Sequence, residues 1–535
     1  MTKNKNRPGL IERFSSGLDR LIGVFSPEAE LKRRMFRFAN NYALKGSYAG
    51  ASRDRLRSSW IPYGGSADED LLPDLNDLRE RSRDLARNDG VASGIISSMV
   101  SNVVGHGIVP QCQLDKEKIN LSDDQAEKFQ KDIESAWELW GPFADTAGRM
   151  SFWEIQQLVQ SQVLINGEAI IIREMVDESW RPYSLAFNVI ESDRMDTPSD
   201  KRSDRSIRRG VEIGSRGEPL AYWICKTHPG DVTYTKRHPE AKEYVRFPVR
   251  NPYGQLNVLH LYWVKRPGQT RGEPFFSPVL LRFRDLADYM EAELVSARVA
   301  ACFSVFIKKT NAYTAALKMA KDTQNEKRIE ELEPGFIDYL GPDEDISVVN
   351  PNRPGAQFDP FVDKVIRFIG AGLNLPYELV MKDFSKSNYS SARAAILEAR
   401  KYFKSMQVWT AQKLCQPIWE LFSEEAFLRG YIEAPDFYQS RSYYCRAKWI
   451  APGWGYIDPE KEINASIASI RNNLSTHADE IAAHGKDWED VFEQLGREKK
   501  KREELGLPDG EGGRITLTAT KENKKKSGDE NVQED

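Results

Sequence analysis

FVDKVIRFIGAGLNLPYELVMKDFSKSNYSSARAAILEARKYFKSMQVWT, residues 361–410, strings together a short apolar helix, a polar loop and a long helix. Val362, Val365, Ile366 and Ile369 recur at helical spacing, and Gly370, Gly372 and Pro376 punctuate the end. Lys382–Asn388 sets two lysines, two serines and an asparagine around Phe384. The chain restarts at Ser390 and Ser391, hydroxyl residues suited to cap a helix start. Ala394, Ala395, Leu397, Ala399 and Phe403 continue it, with Arg393, Arg400, Lys401 and Lys404 interleaved. Two helices hinged by a mobile basic-polar loop suit a backbone that touches something passing by. The same pattern also fits an ordinary helical hairpin.

The 535 residues suffice for a large core and two or three domains. Lys plus Arg is 76 against 80 for Asp plus Glu, a net charge of −4 that gives no bulk attraction to nucleic acid. Contact with DNA would have to come from a local patch or from symmetry-repeated loops. Cys112, Cys225, Cys302, Cys415 and Cys445 form no CxxC pair and read as reduced, mostly buried thiols of a cytoplasmic protein. MTKNKNRPGLIERF at the start lacks the apolar core of a signal peptide. Residues 90–109 lack Asp, Glu, Lys and Arg over about 20 positions, the length of a membrane span. Ser93, Ser97, Ser98, Ser101, Asn102 and His106 dilute them, so we expect a buried helix packed through Gly, Ala and Ser, and no membrane.

Residues 1–75 read as a basic surface arm. Helical periodicity runs from near Leu75 to Gly105-His106-Gly107, resumes over Ser122–Trp140, and starts again at Ser151. Asn166-Gly167 predicts a hairpin between Val163–Ile165 and Glu168–Arg173, with AIII as a buried strand. SLAFNVIE, RRGVEIG, PLAYWICK and VLHLYWVK make residues 180–265 a β-rich body. Pro278 begins a long helix to about Lys309, although Val299–Ile307 could be a strand of its own. A charged helix and a small strand pair fill the polar insertion between Thr310 and Pro360. Pro417 should bend the following helix and Gly430 end it. Asp458-Pro459 opens helices running to about Leu505, and the tail after Pro508 reads as disordered.

Catalytic machinery is hard to find. Gly485-Lys486 is followed by Asp487, so no phosphate loop exists, and no serine sits in a GxSxG elbow. The histidines never fall at HExxH spacing; His477 and His484 share a helical face without completing a metal site. We therefore expect no catalytic residues, no metal and no cofactor. Glu330, Glu331, Glu333, Asp343, Glu344 and Asp345 concentrate carboxylates without matching basic or histidine partners, either as a solvated face or as an acidic docking surface. Lys308, Lys309, Lys382 and Lys386 are either phosphate contacts or ordinary solvated lysines.

Several blocks, in order, resemble the portal proteins of tailed bacteriophages, specifically the lambda family. They are RSRDLARNDGVASGIISSMVSNVVGHGI, NGEAIIIR, GQTRGEPFFSPVL, LEPGFIDYLGPDEDISVVNP, FIGAGLNLPYELVMKDFSKSNYSSARAAILEARKYF and WIAPGWGYIDPEKEINASIASIRNNLST. The resemblance implies an α+β fold with parts called wing, stem, clip and crown: long stem and wing helices and a β-rich wing body. On this chain the arm would be 1–75, the wing 76–270, stem helices 271–309 and 361–375 and the clip 310–360. A tunnel loop would be 376–390, a long helix returning to the wing 391–457, the crown 458–507 and the disordered tail 508–535.

It also implies a ring, usually of twelve copies, at one capsid vertex of the virion, assembled in the host cytoplasm. Double-stranded DNA would pass through it during packaging by a separate terminase and again on ejection. Major capsid or scaffold proteins and a head-completion adaptor are the other implied partners. Lys382, Phe384, Ser385, Lys386 and Asn388 would line the channel, and the acidic clip residues named above would dock terminase and adaptor. A non-channel capsid scaffold or adaptor, or a DNA-processing component of the packaging module, is the alternative.

Overall fold

The computed structural model describes residues 62, 64–238, 242–302, 306–309, 344–347 and 358–507; at 234–235, 299–302, 306–309 and 344–347 only the backbone is described. The chain divides at Ala67. Pro62 and Gly64–Ser66, before that division, carry no regular element, and Ala67 onward forms one compact unit.

Helices α1 (Ala67–Leu71), α2 (Leu75–Asn88) and α3 (Gly90–Val103) come first. The continuous periodicity from Leu75 hides a break: Asp89 takes an extended conformation, and its side chain accepts from the Ala92 N–H at 2.8 Å, capping α3. Ala92, Ile95, Met99 and Val103 bury α3, whereas space is open above Gly90 and Gly94. Burial runs through the larger side chains, not through the glycines. β1 (Val109–Cys112) and the short α4 (Lys116–Ile119) lead to α5 (Asp123–Trp140) and α6 (Phe152–Asn166). Ser122 with Gln125, and Ser151 with Glu154, form reciprocal capping boxes at the starts of α5 and α6.

The hairpin expected at Asn166-Gly167 is absent. Phe152, Ile155, Val159 and Val163 keep helical period into the core, so α6 runs through Asn166 and Gly167 turns the chain in the left-handed region at φ +86°. β2 (Glu168–Met175) follows at once, with Ala169, Ile170 and Ile171 almost wholly buried. It is the centre of an antiparallel sheet, β3 (Leu185–Ile190)–β2–β8 (Val258–Tyr262), in which Ile171 faces Val189 and Leu259. A second antiparallel sheet orders β4 (Ile207–Arg208), β5 (Val211–Ile213), β6 (Pro219–Cys225) and β7 (Tyr244–Pro248). α7 (Val232–Arg237) lies between β6 and β7. Ile170, Ile172, Val211, Tyr222, Ile224 and Val258 pack together between the two sheets.

α8 (Leu280–Cys302) stops short of Lys309, and β9 (Phe306–Lys309) pairs antiparallel with β10 (Glu344–Ser347). α9 (Phe358–Gly372), α10 (Tyr377–Met381) and α11 (Tyr389–Thr410) follow. A π-helical turn, Ala411–Cys415, joins α11 to α12 (Gln416–Leu428). Pro417 has no N–H to donate and its ring crowds the preceding turn, and the helix accommodates it by widening just upstream. α12 ends as expected: Gly430 sits at φ +75°, and Tyr431 N–H donates to Ala426 O while Gly430 N–H donates to Phe427 O. α13 (Phe437–Tyr444), β11 (Ala447–Ile450), paired with β1, and helices α14 (Pro459–Arg471), α15 (His477–Ala483) and α16 (Trp488–Glu504) complete the description. Among the described residues no helix is long and apolar enough to cross a membrane.

Two larger apolar cores hold these elements. One centres on Trp137, Trp140, Phe152, Phe187, Trp419 and Phe422, joining α5, α6, β3 and α12. The other gathers Met99, Phe283, Ile369, Val380, Phe403 and Met406 from α3, α8, α9, α10 and α11. A buried charge sits at the start of β2. Glu168 is fully buried and accepts from Arg79 Nη2 at 2.6 Å, Arg271 Nη2 at 2.6 Å, His260 Nε2 at 3.0 Å and Gly272 N at 2.8 Å. Burial would push its carboxyl up, but Arg271, Arg79 and His260 outweigh that and hold it well below the usual range. Burial lowers His260, so its imidazole is neutral and donates its Nε2 proton to Glu168.

Candidate nucleic-acid interface

Residues 361–410 form helix, short helix, loop and long helix, anchored at both ends. α9 buries Ile366 and Ile369 and leaves Phe361 and Phe368 about half exposed, at 48% and 60%. At its end Leu375 N–H donates to Gly370 O at 2.8 Å, and a Cβ on Gly370 would stand 2.6 Å from Leu375 O. Only glycine allows that reversal. Tyr377 and Val380 then pin α10 to the core. On the far side Ala399, Phe403 and Met406 pin α11.

The loop between these anchors is exposed and internally tied. Lys382 leaves α10 in the left-handed region at φ +55° with its side chain in solvent. Asp383 Oδ1 accepts from Ser385 N–H at 2.9 Å, and Ser387 N–H donates to Phe384 O at 3.1 Å. Phe384 is 40% exposed. Lys386 is not a free cation: its Nζ lies 2.6 Å from Asp363 Oδ2 on α9, and Tyr377 Oη donates to the other oxygen of Asp363 at 2.8 Å. Those hydrogen bonds hold the Asp363 carboxyl below, and the Lys386 ammonium above, their ordinary ranges. Ser387 Oγ donates to Glu378 Oε1 at 2.9 Å, tying the loop to α10.

The expected cap is displaced by two residues. Asn388, not Ser390 or Ser391, caps α11, with its Oδ1 accepting from Ser391 N–H at 2.8 Å. An asparagine in extended conformation places its carbonyl over the first turn, whereas Ser390 and Ser391 already lie within the helix. Cations on α11 are also engaged. Arg400 Nη2 donates to Gly455 O at 2.9 Å, Lys401 pairs with Glu398 at 2.9 Å, and Arg393 lies 3.8 Å from Glu462. Asp363, Tyr377 and Glu378, which set the loop's shape, were not picked out by spacing because they pair with positions 9 to 23 residues away. Asp363 on the polar side of α9 and the Tyr-Glu pair in GLNLPYELV were the available clues.

Of the acidic positions, Glu330, Glu331, Glu333 and Asp343 lie outside the described residues. Glu344 and Asp345 lie on β10, where the register sets Lys309 opposite Glu344 and Lys308 opposite Asp345. The described residues gather Glu191, Asp193 and His228 ligand atoms within 4.8 Å of one another. Gly230 N–H donates to His228 Nδ1 at 2.9 Å, and His228 Nε2 lies 2.9 Å from Glu191 Oε2. Arg83 takes Asp193. Arg83 and Gly230 thus already engage Asp193 and His228 Nδ1.

Residues 53–407 match the family model described as phage portal protein, lambda family. The portal protein of Escherichia phage N15 is 24% identical over 504 residues, covering 89% of this chain and 93% of that protein. The probable portal protein of Halomonas phage phiHAP-1 is 25% identical over 512 residues, covering 94% and 95%. Portal protein B of Escherichia phage lambda is 24% identical over 478 residues, covering 84% and 88%. Among solved structures, a chain from the virion of a native gene transfer agent particle aligns over 81% of this chain and 94% of its own, at 14% identity and a TM-score of 0.40.

Proposed function

The chain belongs to the lambda family of phage portal proteins, and from that footing we propose that the loop Lys382–Asn388 is where its ring meets DNA. Portal proteins are structural, non-enzymatic parts of the virion: homo-oligomeric rings forming the channel for genome packaging. The observation that carries the loop assignment is its suspension. α10 is anchored in the core through Tyr377 and Val380 and α11 from Ala399 onward, while Lys382, Phe384, Ser385 and Lys386 between these anchors face solvent.

In this reading α8 and α9 are the stem, 310–360 the clip, 458–507 the crown, and the ring holds twelve copies. Double-stranded DNA, terminase, capsid or scaffold proteins and a head-completion adaptor are its partners, with terminase and adaptor meeting the clip. The loop's charge suits sliding. Lys386 answers Asp363, and Lys382 stands beside Asp383, so each copy offers phosphates a nearly balanced surface. A ring of unpaired cations would release counterions and hold the duplex tightly at low salt.

The test replaces Lys382 and Lys386 together by alanine. Rings should assemble at unchanged yield and mass, while the amount of DNA packaged or retained per particle changes. Loss of the ring itself would make the loop an assembly contact and overturn the assignment.

A further inference from the structure

α14, α15 and α16 contain no buried residue, so no apolar core clamps them to the rest of the chain. Their attachment is narrow. On one side the chain passes backbone against backbone: a Cβ on Gly453 would stand 2.5 Å from His484 C, and Tyr456 Oη lies 2.7 Å from His484 Nε2. On the other, the start of α16 approaches α5 and β1 through polar groups. Gln111 Nε2 donates to Asp487 Oδ1 at 2.9 Å, and Lys131 reaches Glu493 at 3.5 Å while also holding Glu127 at 3.0 Å. Lys448 on β11 pairs with Asp479 of α15 at 2.8 Å.

This second contact is crowded with like charge. Glu134 of α5 accepts from Cys112 N–H at 2.6 Å, next along β1 to Gln111, whose side chain holds Asp487, so the negative charges of Asp487, Glu489 and Asp490 act on its carboxyl. Asp487 also caps α16, accepting from Glu489 N–H at 2.8 Å. Glu127 adds to the negative field at Glu489; the cations facing the group are Lys131, toward Glu489, and Lys448, toward Asp487. With little apolar area to oppose it, carboxylate repulsion decides how firmly α16 sits.

We propose that α16 docks on the body through a proton-controlled joint, in which the facing carboxylates of Glu134, Asp487 and Glu489 must share protons for the joint to close. Burial, reinforced by Asp487, Glu489 and Asp490, raises the Glu134 carboxyl to about 7; burial likewise raises Asp487 and Glu489. The docked form therefore binds protons more tightly than the open form. Docking strengthens as pH falls through about 7 and weakens above it, by up to about tenfold per pH unit for one such group.

The test uses the full-length assembled protein, with spin labels at Glu138→Cys on α5 and Gln494→Cys on α16, both exposed positions, and labelled chains diluted among unlabelled ones. Pulsed dipolar distances are compared at pH 6 and pH 8.5. A single short distance at pH 6 that gains a longer population at pH 8.5 is expected. Glu134→Gln, whose amide oxygen still accepts from Cys112, should keep the short distance at both pH values, and Glu489→Gln should shrink the response. An unchanged distribution between the two pH values overturns the proposal. So does a full response retained in both variants, which would place the titrating group elsewhere.

Discussion

Glu168 is one carboxylate answered by two guanidinium groups, an imidazole and a backbone amide, all away from water. Removing its charge leaves Arg79 and Arg271 buried without their counter-ion, which costs about 3–5 kcal/mol where such pairs are broken. Glu168→Gln should lower the denaturation midpoint accordingly in urea or thermal unfolding. The pH dependence has a definite sign. A folded-state carboxyl held below its unfolded value contributes fully above the ordinary carboxylate range, and loses that contribution as acid protonates the folded state. The Glu168 contribution should therefore be flat through neutral pH and fall from the ordinary carboxylate range downward, whereas His260, kept neutral by burial, withdraws stability already as pH falls below its ordinary value of 6.5. Glu168 and Arg271 stand in NGEAIIIR and GQTRGEPFFSPVL, 103 residues apart. Nothing in periodicity or spacing couples positions so distant, and the same holds for the Asp363–Lys386 tie that neutralises half of the loop's apparent basicity.

At the scale of elements, the sequence was readable at several boundaries set by a local device, though not at the caps Asp89 and Asn388. Ser122, Ser151 and Asp458 cap the helices that follow them, and Gly430 closes α12. It misled where one local motif serves two geometries. Asn-Gly makes a tight hairpin turn, yet here it ends a helix, because four apolar residues upstream hold a 3.6-residue period and draw the segment into the core. Gly167 is under a further constraint that only the fold reveals. A Cβ there would stand 2.4–2.7 Å from the backbone of Glu273 and Pro274, and one on Gly272 would stand 2.1 Å from Gly167 O. Gly167→Ala meets both a left-handed φ and a backbone clash, and should destabilise by about 3 kcal/mol or more. Thermal unfolding measures it, and an unshifted midpoint would mean that the crossing relaxes freely.

On the scale of the whole molecule, composition excluded more than it identified: mild negative charge, scattered cysteines and no phosphate loop. The ordered blocks carried the family, and the match over residues 53–407 agrees with them. With the loop proposed at the channel, Leu281, Phe361 and Phe368 on α8 and α9 are exposed on the single chain. The measurement that bears most directly on that placement is photo-crosslinking in particles stalled during packaging. The crosslinker stands in place of Lys382 or, as a control, of Tyr253, which is 88% exposed on the turn between β7 and β8. The loop assignment predicts DNA adducts at position 382 and none at 253. Equal labelling at both positions, or no adduct at 382 while DNA fills the ring, would contradict it.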